Sequence, residues 1–321
     1  MQAKTLRKVY YLLKDTDWEF VLAFLFIYLK YRDFEMRIKA MRYVKYAFFE
    51  RRFLHVLGKY GDSVNSPQIN NGPIWVCWLQ GEENMPQIVK VCYERLKKMA
   101  PPYREVVLLT FDNIGQYVRL PDYIYEKLRN GDMTYTHFSD ILRFALLAEK
   151  GGLWVDSTVY VTKPISPDVF AKKYYSAKTK YDSTYMGVNR CLWKCFLLGA
   201  SPQSQWFLNA REIMYTYWKE MNYFIDYLIV DYILLLIYDS SDEVKSEVDV
   251  GVEYAPYILD FEKIANEPCD ETYLKKMCDE CRWFKLSYKL PFREYTADGK
   301  LTYFGRLLSE KCADTNCSIV L

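Results

Sequence analysis

The clearest structural pattern in this 321-residue sequence joins Phe138–Arg143 (FSDILR) to Gly151–Val159 (GGLWVDSTV). Ser139 suits the N-cap of a helix that we predict over residues 139–149. The two glycines favour the end of that helix, because glycine readily takes the left-handed conformation. The apolar run after them predicts a strand over residues 153–161. Together the two blocks predict a helix, a tight break and a strand.

These blocks bring together groups that can bind a metal and phosphate. Asp140 and Arg143 are three residues apart and share a face of the predicted helix. Alternation along the predicted strand places Asp156 and Thr158 on one face. A carboxylate and a hydroxyl can bind Mg²⁺ or Mn²⁺, and a planar guanidinium can pair with phosphate or sugar oxygens. The alternatives are a simple helix-face ion pair for Asp140 and Arg143, and a strand-end cap for Asp156.

Strands and helices alternate in the region that precedes these blocks. The apolar runs Pro73–Leu79 (PIWVCWL) and Glu105–Thr110 (EVVLLT) are typical of buried parallel strands. Helical patterns cover residues 85–100 and 121–128, and a further helical region is predicted over residues 203–238. This alternation predicts an α/β fold with a largely parallel sheet, an N-terminal helical segment and helical additions.

The first-strand block adds a resemblance to a known family. Trp75–Asn84 (WVCWLQGEEN), with Pro86 following, stands in order with the two blocks above, and the set strongly resembles the capsular polysaccharide synthesis proteins. These are bacterial sugar transferases related to family 32 glycosyltransferases, and the resemblance covers residues 70–240. It implies a GT-A type, Rossmann-like nucleotide-sugar domain, a divalent cation (Mn²⁺ or Mg²⁺) and a nucleoside-diphosphate-sugar donor, with a UDP-sugar expected.

The resemblance also assigns roles to residues. Asp140 and Arg143 match the positions that contact the donor, and Asp156 matches the first acid of an Asp-x-Asp metal motif. Thr158 stands where the wider group has the second acid, which weakens the predicted metal site. The resemblance further implies a transfer that retains the anomeric configuration.

Four further positions are assigned to the nucleotide-sugar site: Trp75, Trp78, Gln80 and Lys289. The resemblance implies that an aromatic ring near the first strand stacks on the base, and Trp78 is preferred because open α/β sheets bind ligands at the carboxyl ends of their strands. Both tryptophans could instead be core residues. Asp226 and Asp231 are assigned to the acceptor side, where a carboxylate can accept a proton, although buried structural acids are an equal alternative.

The N-terminal segment differs from the rest of the chain in charge. Residues 1–60 hold 13 lysines and arginines against six acidic residues, whereas the remainder holds 30 against 35. We therefore divide the chain into a basic, aromatic helical segment over residues 1–65 and a glycosyltransferase domain over residues 66–321. Basic residues beside aromatic ones favour contact with an anionic membrane rather than with nucleic acid. The alternative is a helical hairpin packed on the main body.

These observations predict a hexosyltransferase-type enzyme of surface polysaccharide synthesis, acting on a saccharide or lipid-linked saccharide acceptor. We find no signal-peptide pattern, and the nine cysteines are an odd number, so we expect reduced thiols and a cytoplasmic protein peripheral to the inner face of the membrane. One alternative is a non-catalytic scaffold of the same fold. Another is a sugar nucleotidyltransferase, which needs a glycine-rich phosphate loop where the acidic Gln80–Glu83 stands.

Overall fold

The computed structural model describes residues 10–58, 70–180 and 187–309. Of the predicted N-terminal segment, residues 1–9 and 59–65 lie outside the described residues.

A mixed six-stranded sheet forms the centre of the molecule, and a two-stranded sheet lies beside it. The strands are β1 (Ile74–Cys77), β2 (Val106–Leu109), β3 (Gly152–Val155), β4 (Val159–Val161), β5 (Tyr174–Lys178), β6 (Leu197–Ala200), β7 (Val252–Tyr254) and β8 (Trp283–Lys285). The order in the large sheet is β2-β1-β3-β6-β5-β7, and β4 pairs with β8. Three of the five pairings in the large sheet are parallel, and β6 runs antiparallel to both of its neighbours. The predicted α/β class with a mostly parallel sheet is confirmed.

Helices cover both faces of the central sheet. After a helical turn at residues 10–15, they are α1 (Trp18–Lys30), α2 (Phe34–Phe53), α3 (Gln87–Met99), α4 (Ile114–Tyr117), α5 (Asp122–Arg129), α6 (Tyr135–Lys150), α7 (Asp168–Ala171), α8 (Gln205–Glu220), α9 (Ile229–Ser240), α10 (Asp242–Gly251), α11 (Phe261–Ile264), α12 (Glu271–Glu280) and α13 (Tyr303–Leu308). The predicted helix over residues 203–238 is therefore two helices, α8 and α9, separated by an irregular segment.

Helix α6 positions the residues of the FSDILR block. It begins one turn before the predicted start, because Thr134 is its N-cap and accepts a hydrogen bond from the amide of His137. The Ser139 hydroxyl instead donates to the carbonyl of Thr136 at 2.8 Å. The helix ends at Gly151, where φ is 65°. At Gly152 a Cβ atom would lie 2.2 Å from the Pro73 carbonyl oxygen, so this glycine permits β3 to run close beside β1.

The predicted strand over residues 153–161 is interrupted in the structure. β3 ends at Val155, and the amide of Val159 donates to the carbonyl of Asp156 at 2.9 Å, closing a turn. The interruption arises because β3 pairs with β6, whereas β4 pairs with β8 in the other sheet. The sequence predicted that Asp156 and Thr158 share one face of a strand. This prediction is wrong, because both residues lie on the turn between β3 and β4.

The N-terminal helices pack on the sheet-bearing body. Phe49 of α2 is fully buried and stacks between Tyr217 of α8 and Tyr232 of α9, with ring centroids 5.8 and 5.4 Å away. Such aromatic stacks add to the free energy gained by burying the rings. Among the described residues, no helix is both long and apolar enough to cross a membrane.

Candidate active site

A cavity of about 600 Å³ opens at the carboxyl ends of β1 and β3. Trp78 follows β1 and Asp156 follows β3, so both parallel strands deliver a side chain to the same edge of the sheet. Helix α6 contributes Asp140 and Arg143 from one side. Ligands of open α/β sheets bind at this edge.

Arg143 is the centre of an ion-pair network in this cavity. Its side chain is only 5% exposed, with Nη1 3.1 Å from Asp140 Oδ1 and Nη2 3.0 Å from Asp156 Oδ1. The guanidinium carbon also lies 5.0 Å from the centre of the Trp154 ring. The helix-face ion pair of Asp140 and Arg143 is thus present, and Arg143 extends it to Asp156.

Burial changes the acid chemistry of Asp140. It raises the pKa of this carboxyl to about 7, while Arg143 acts in the lowering direction and Asp156 in the raising one. Asp140 therefore changes its protonation state near neutral pH, which is unusual for a carboxyl group.

The turn after β3 holds Asp156 in place. Its Oδ1 accepts a hydrogen bond from Trp154 Nε1 at 2.8 Å in addition to the one from Arg143. Its backbone amide donates to the carbonyl of Phe196 at 2.9 Å. Two hydrogen bonds orient the carboxylate, the backbone hydrogen bond fixes the turn, and 28% of the side chain remains exposed.

Lys285 is a site residue that the sequence analysis missed. It lies in β8, and its ammonium donates to the Thr158 hydroxyl, lies 3.2 Å from the Leu286 carbonyl oxygen and is 4.0 Å from Asp156 Oδ2. The pairing of Val159 with Lys285 brings these distant parts of the chain together. No local motif marks Lys285, so only the tertiary pairing could have identified it.

The residues around Asp156 do not fit the divalent cation that the family resemblance implies. Asp156 is the only carboxylate of the predicted pair, and its Oδ1 already accepts two hydrogen bonds. The other predicted ligand, the Thr158 hydroxyl, accepts from Lys285, so a metal here would lie beside an ammonium group. Within the described ranges, no cluster of three or more His, Cys, Asp or Glu side chains has the arrangement of a metal site. Mg²⁺ and Mn²⁺ prefer several oxygen ligands.

The two tryptophans of the first-strand block have different environments. Trp78 lines the cavity, its Nε1 donates to the Asn84 carbonyl at 3.2 Å, and its ring meets Tyr288 edge-on at 5.6 Å between centroids. Trp75 is 1% exposed and its Nε1 donates to the Gly151 carbonyl at 2.9 Å. Trp75 is a core residue that does not reach the cavity, which corrects its assignment to the nucleotide-sugar site.

Of the other predicted binding residues, some line the cavity and one does not. Gln80, Lys289 and Asp231 line the cavity, whereas Asp226 does not. Asp226 forms an ion pair with Lys45 of α2 and accepts a hydrogen bond from the Leu228 amide at 2.8 Å. Its assignment to the acceptor side is therefore corrected to a structural role that ties α2 to the loop before α9.

Asp231 sits in a buried polar cluster on the cavity wall. Its Oδ1 accepts from Trp193 Nε1 and from the Cys195 thiol, both at 2.9 Å, and from Asn189 Nδ2 at 3.2 Å. Burial raises the pKa of Asp231, and these hydrogen bonds act in the lowering direction. A carboxylate with a raised pKa is a stronger base than an ordinary aspartate.

Two thiols that line the cavity and the nearby imidazole of His137 carry no charge near neutral pH. Burial raises the pKa of the Cys77 thiol to about 12 and that of Cys195 well above its usual value, so both are neutral. His137 is buried against Phe224, and burial lowers the pKa of its imidazole to about 4. The thiols of Cys77, Cys92, Cys191, Cys195 and Cys281 are free.

A comparison with protein families agrees with the sequence blocks. A family model described as "Capsular polysaccharide synthesis protein" matches residues 27–307. Among solved structures, the chain is similar to a protein described as "PaToxG Glycosyltransferase", at 14% identity and a TM-score of 0.40, covering 67% of this chain and 84% of that one. No curated protein matches the sequence significantly.

Proposed function

Because the chain belongs to the capsular polysaccharide synthesis protein family, we propose that it is a glycosyltransferase of surface polysaccharide synthesis. It moves a sugar from a nucleoside-diphosphate donor to a saccharide acceptor within the cavity at the ends of β1 and β3. The observation that supports this best is the network in which Arg143 joins Asp140 to Asp156 beside Trp78. A GT-A type domain and a UDP-sugar donor are part of the proposal.

The donor would lie across the edge of the central sheet. Trp78 offers a partly exposed ring on which a base can stack. The hydrogen bond from its Nε1 to the Asn84 carbonyl fixes the orientation of this ring. Lys285 and Lys289 line the cavity near the same edge and provide positive charge for a diphosphate. Gln80 lines the wall beside Trp78 and offers an amide for ribose or sugar hydroxyls.

The proposed reaction is a substitution at the anomeric carbon of the donor sugar. The bond from this carbon to the diphosphate oxygen breaks, and its electron pair leaves with the nucleoside diphosphate. The hydroxyl oxygen of the acceptor forms the new bond, and we assign its proton to Asp231, whose pKa is raised by burial. Arg143 is fixed by two carboxylates before the donor arrives, so it orients the sugar without reorganisation. Retention of the anomeric configuration remains a prediction from the resemblance.

We propose a lipid-linked saccharide as the acceptor, presented at an anionic membrane surface. The support is the exposed apolar side of α1, formed by Trp18, Leu22, Leu25, Phe26 and Leu29. Successive residues of this set are four, three, one and three positions apart, so they lie on one face of the helix. Lys30, in the last turn of α1, and Arg32, just after it, are exposed at the end of this face.

A donor screen tests the proposal. The full chain is heated with UDP-, GDP- and CMP-sugars, each with and without Mn²⁺, and the unfolding temperature is followed. One donor class, expected to be UDP-sugars, should raise the unfolding temperature of the wild-type protein, because a ligand that binds only the native state stabilises it. The Asp140→Asn protein should show a smaller shift. If no donor shifts the unfolding temperature under any of these conditions, the glycosyltransferase proposal fails.

A further inference from the structure

We propose that Lys285 supplies the positive charge that neutralises the departing diphosphate, at the place where the family resemblance implies a divalent cation. This inference rests on the proposed function, since it assumes a nucleoside-diphosphate donor in the cavity.

The position of the ammonium is the first argument. It donates to the hydroxyl of Thr158 and lies 4.0 Å from Asp156 Oδ2, so it occupies the space between the two predicted metal ligands. Its other contacts are the Leu286 carbonyl oxygen and the ring of Phe196, whose centroid is 5.5 Å away. A cation is thus already present where the metal was expected.

The backbone fixes this ammonium relative to the turn. The amide of Lys285 donates to the Ile258 carbonyl at 2.8 Å, and the amide of the next residue donates to the Thr158 carbonyl at 2.9 Å. The strand pairing of Val159 with Lys285 is a third backbone contact between the two segments. A charged group held in place before the substrate binds needs little reorganisation to stabilise charge that develops during the reaction.

The local charge balance is the second argument. Asp156 is the one carboxylate at this turn, and it already faces Arg143 at 3.0 Å and Lys285 at 4.0 Å. Asp140 is the second carboxylate of this network and pairs with the same Arg143 at 3.1 Å, so two cations and two carboxylates meet here. A divalent cation would add positive charge beside the ammonium of Lys285, whereas a diphosphate brings negative charge that this ammonium can bind.

The side chain of Lys285 can serve the diphosphate without a change of protonation. Its Nζ carries three donors, of which one is used by Thr158 and one by the Leu286 carbonyl. The third N–H makes no hydrogen bond to any residue that the structure describes, and it can donate to a non-bridging phosphate oxygen. When the bond to the anomeric carbon breaks, the electron pair stays on the diphosphate and the ammonium keeps its protons.

Calorimetric titration with UDP and UMP, in buffer that contains excess chelator, tests the inference directly. Wild-type protein should bind UDP more tightly than UMP without any metal. Lys285→Gln should weaken UDP binding by roughly 10- to 100-fold, the effect of losing a charge-assisted hydrogen bond, and leave UMP binding nearly unchanged. Lys285→Arg keeps the charge and should retain part of the preference for UDP.

Lys263→Gln is the matched control, because Lys263 is an exposed lysine of α11 that pairs with Asp260 and is not among the residues that line the cavity. It should bind both nucleotides like the wild-type protein. If Lys285→Gln weakens UDP and UMP equally, Lys285 has only a structural role and the inference is wrong. Binding of UDP that appears only after Mn²⁺ or Mg²⁺ is added overturns the inference but leaves the proposed function standing. The absence of any nucleotide binding, with or without metal, removes the proposed function itself.

Discussion

The guanidinium of Arg143 in helix α6 lies 3.0 Å from the carboxylate of Asp156, which follows strand β3. The same guanidinium pairs with Asp140 one helical turn before it. This cation therefore links the helix to the turn after β3, and it neutralises two acids in a mostly buried place.

Loss of this cation should destabilise the protein. Arg143→Met leaves the buried Asp140 and the partly buried Asp156 without their partner, and we expect the free energy of unfolding to fall by about 3 kcal/mol. Urea unfolding followed by tryptophan fluorescence measures this. Arg51→Met is the control, because Arg51 also pairs with two acids, Asp17 and Glu19, but is half exposed, so it should cost less than about 1 kcal/mol. Equal costs for the two variants would contradict the central role of Arg143.

Two buried groups should give stability opposite dependences on pH. Burial lowers the pKa of His137 to about 4, so between pH 4 and 6.5 the unfolded chain binds a proton that the native state does not, and stability from this group rises with pH. Burial raises the pKa of Asp140 to about 7, so between about pH 4 and 7 the native state binds the extra proton, and stability from this group falls with pH.

Unfolding free energies at pH 4.5 and pH 7 separate the two groups. The free energy of unfolding of His137→Gln, measured relative to the wild type, should be higher at pH 4.5 than at pH 7, because the variant lacks the contribution that rises with pH. For Asp140→Asn, the same difference should be higher at pH 7 than at pH 4.5. Differences that do not change with pH, or that change in the same direction for both variants, would count against these pKa shifts.

Substitutions of the two tryptophans of the first-strand block should have different effects, one on nucleotide affinity and the other on stability. Trp78→Ala removes the ring on the cavity wall, and we expect nucleotide affinity to fall about tenfold or more, with little change in unfolding. Trp78→Phe keeps a stacking surface and should recover most of the affinity. Trp75→Ala opens a hole in the core and should cost about 3–5 kcal/mol of stability. A loss of affinity in Trp78→Ala that Trp78→Phe does not reverse would argue against base stacking.

The exposed apolar face of α1 should bind anionic membranes. In vesicle flotation, the wild-type chain should float with vesicles rich in phosphatidylglycerol and stay in solution with neutral ones. Leu25→Glu combined with Leu29→Glu should reduce the floating fraction about tenfold, because each leucine contributes on the order of 1–2 kcal/mol of apolar burial. Val250→Glu, at an exposed valine of α10, is the control and should float like wild type. Equal flotation of the double variant and the wild type would end the membrane proposal.

Much of the fold could be predicted from local sequence patterns. Strands β1 and β2 are short apolar runs, and the end of α6 follows from Gly151 and Gly152, so periodicity and glycine geometry were enough to locate them. The location of Trp78 on the cavity wall follows from the general rule that ligands bind at the carboxyl ends of parallel strands. These features depend on neighbouring residues or on a property shared by all such sheets.

The features that could not be predicted depend on contacts between distant segments. The sequence from Leu153 to Val161 reads as one strand that contains Asp156–Thr158, but it changes sheet there, because β4 pairs with β8. The same pairing brings Lys285 to the site. Asp226 and Asp231 were both assigned to the acceptor side, but Asp226 lies in the irregular segment between α8 and α9 and pairs with Lys45.

The most direct test of the account is the release of nucleoside diphosphate from a nucleoside-diphosphate sugar, followed by mass spectrometry. The account predicts that the wild-type chain and Arg51→Met release UDP from at least one UDP-sugar at the same rate. Arg143→Met, assayed where it remains folded, should release it at least about 100-fold more slowly, the scale of losing one preorganised charge contact. Release by Arg143→Met at the wild-type rate, or no release by the wild type from any UDP-, GDP- or CMP-sugar, would contradict the account.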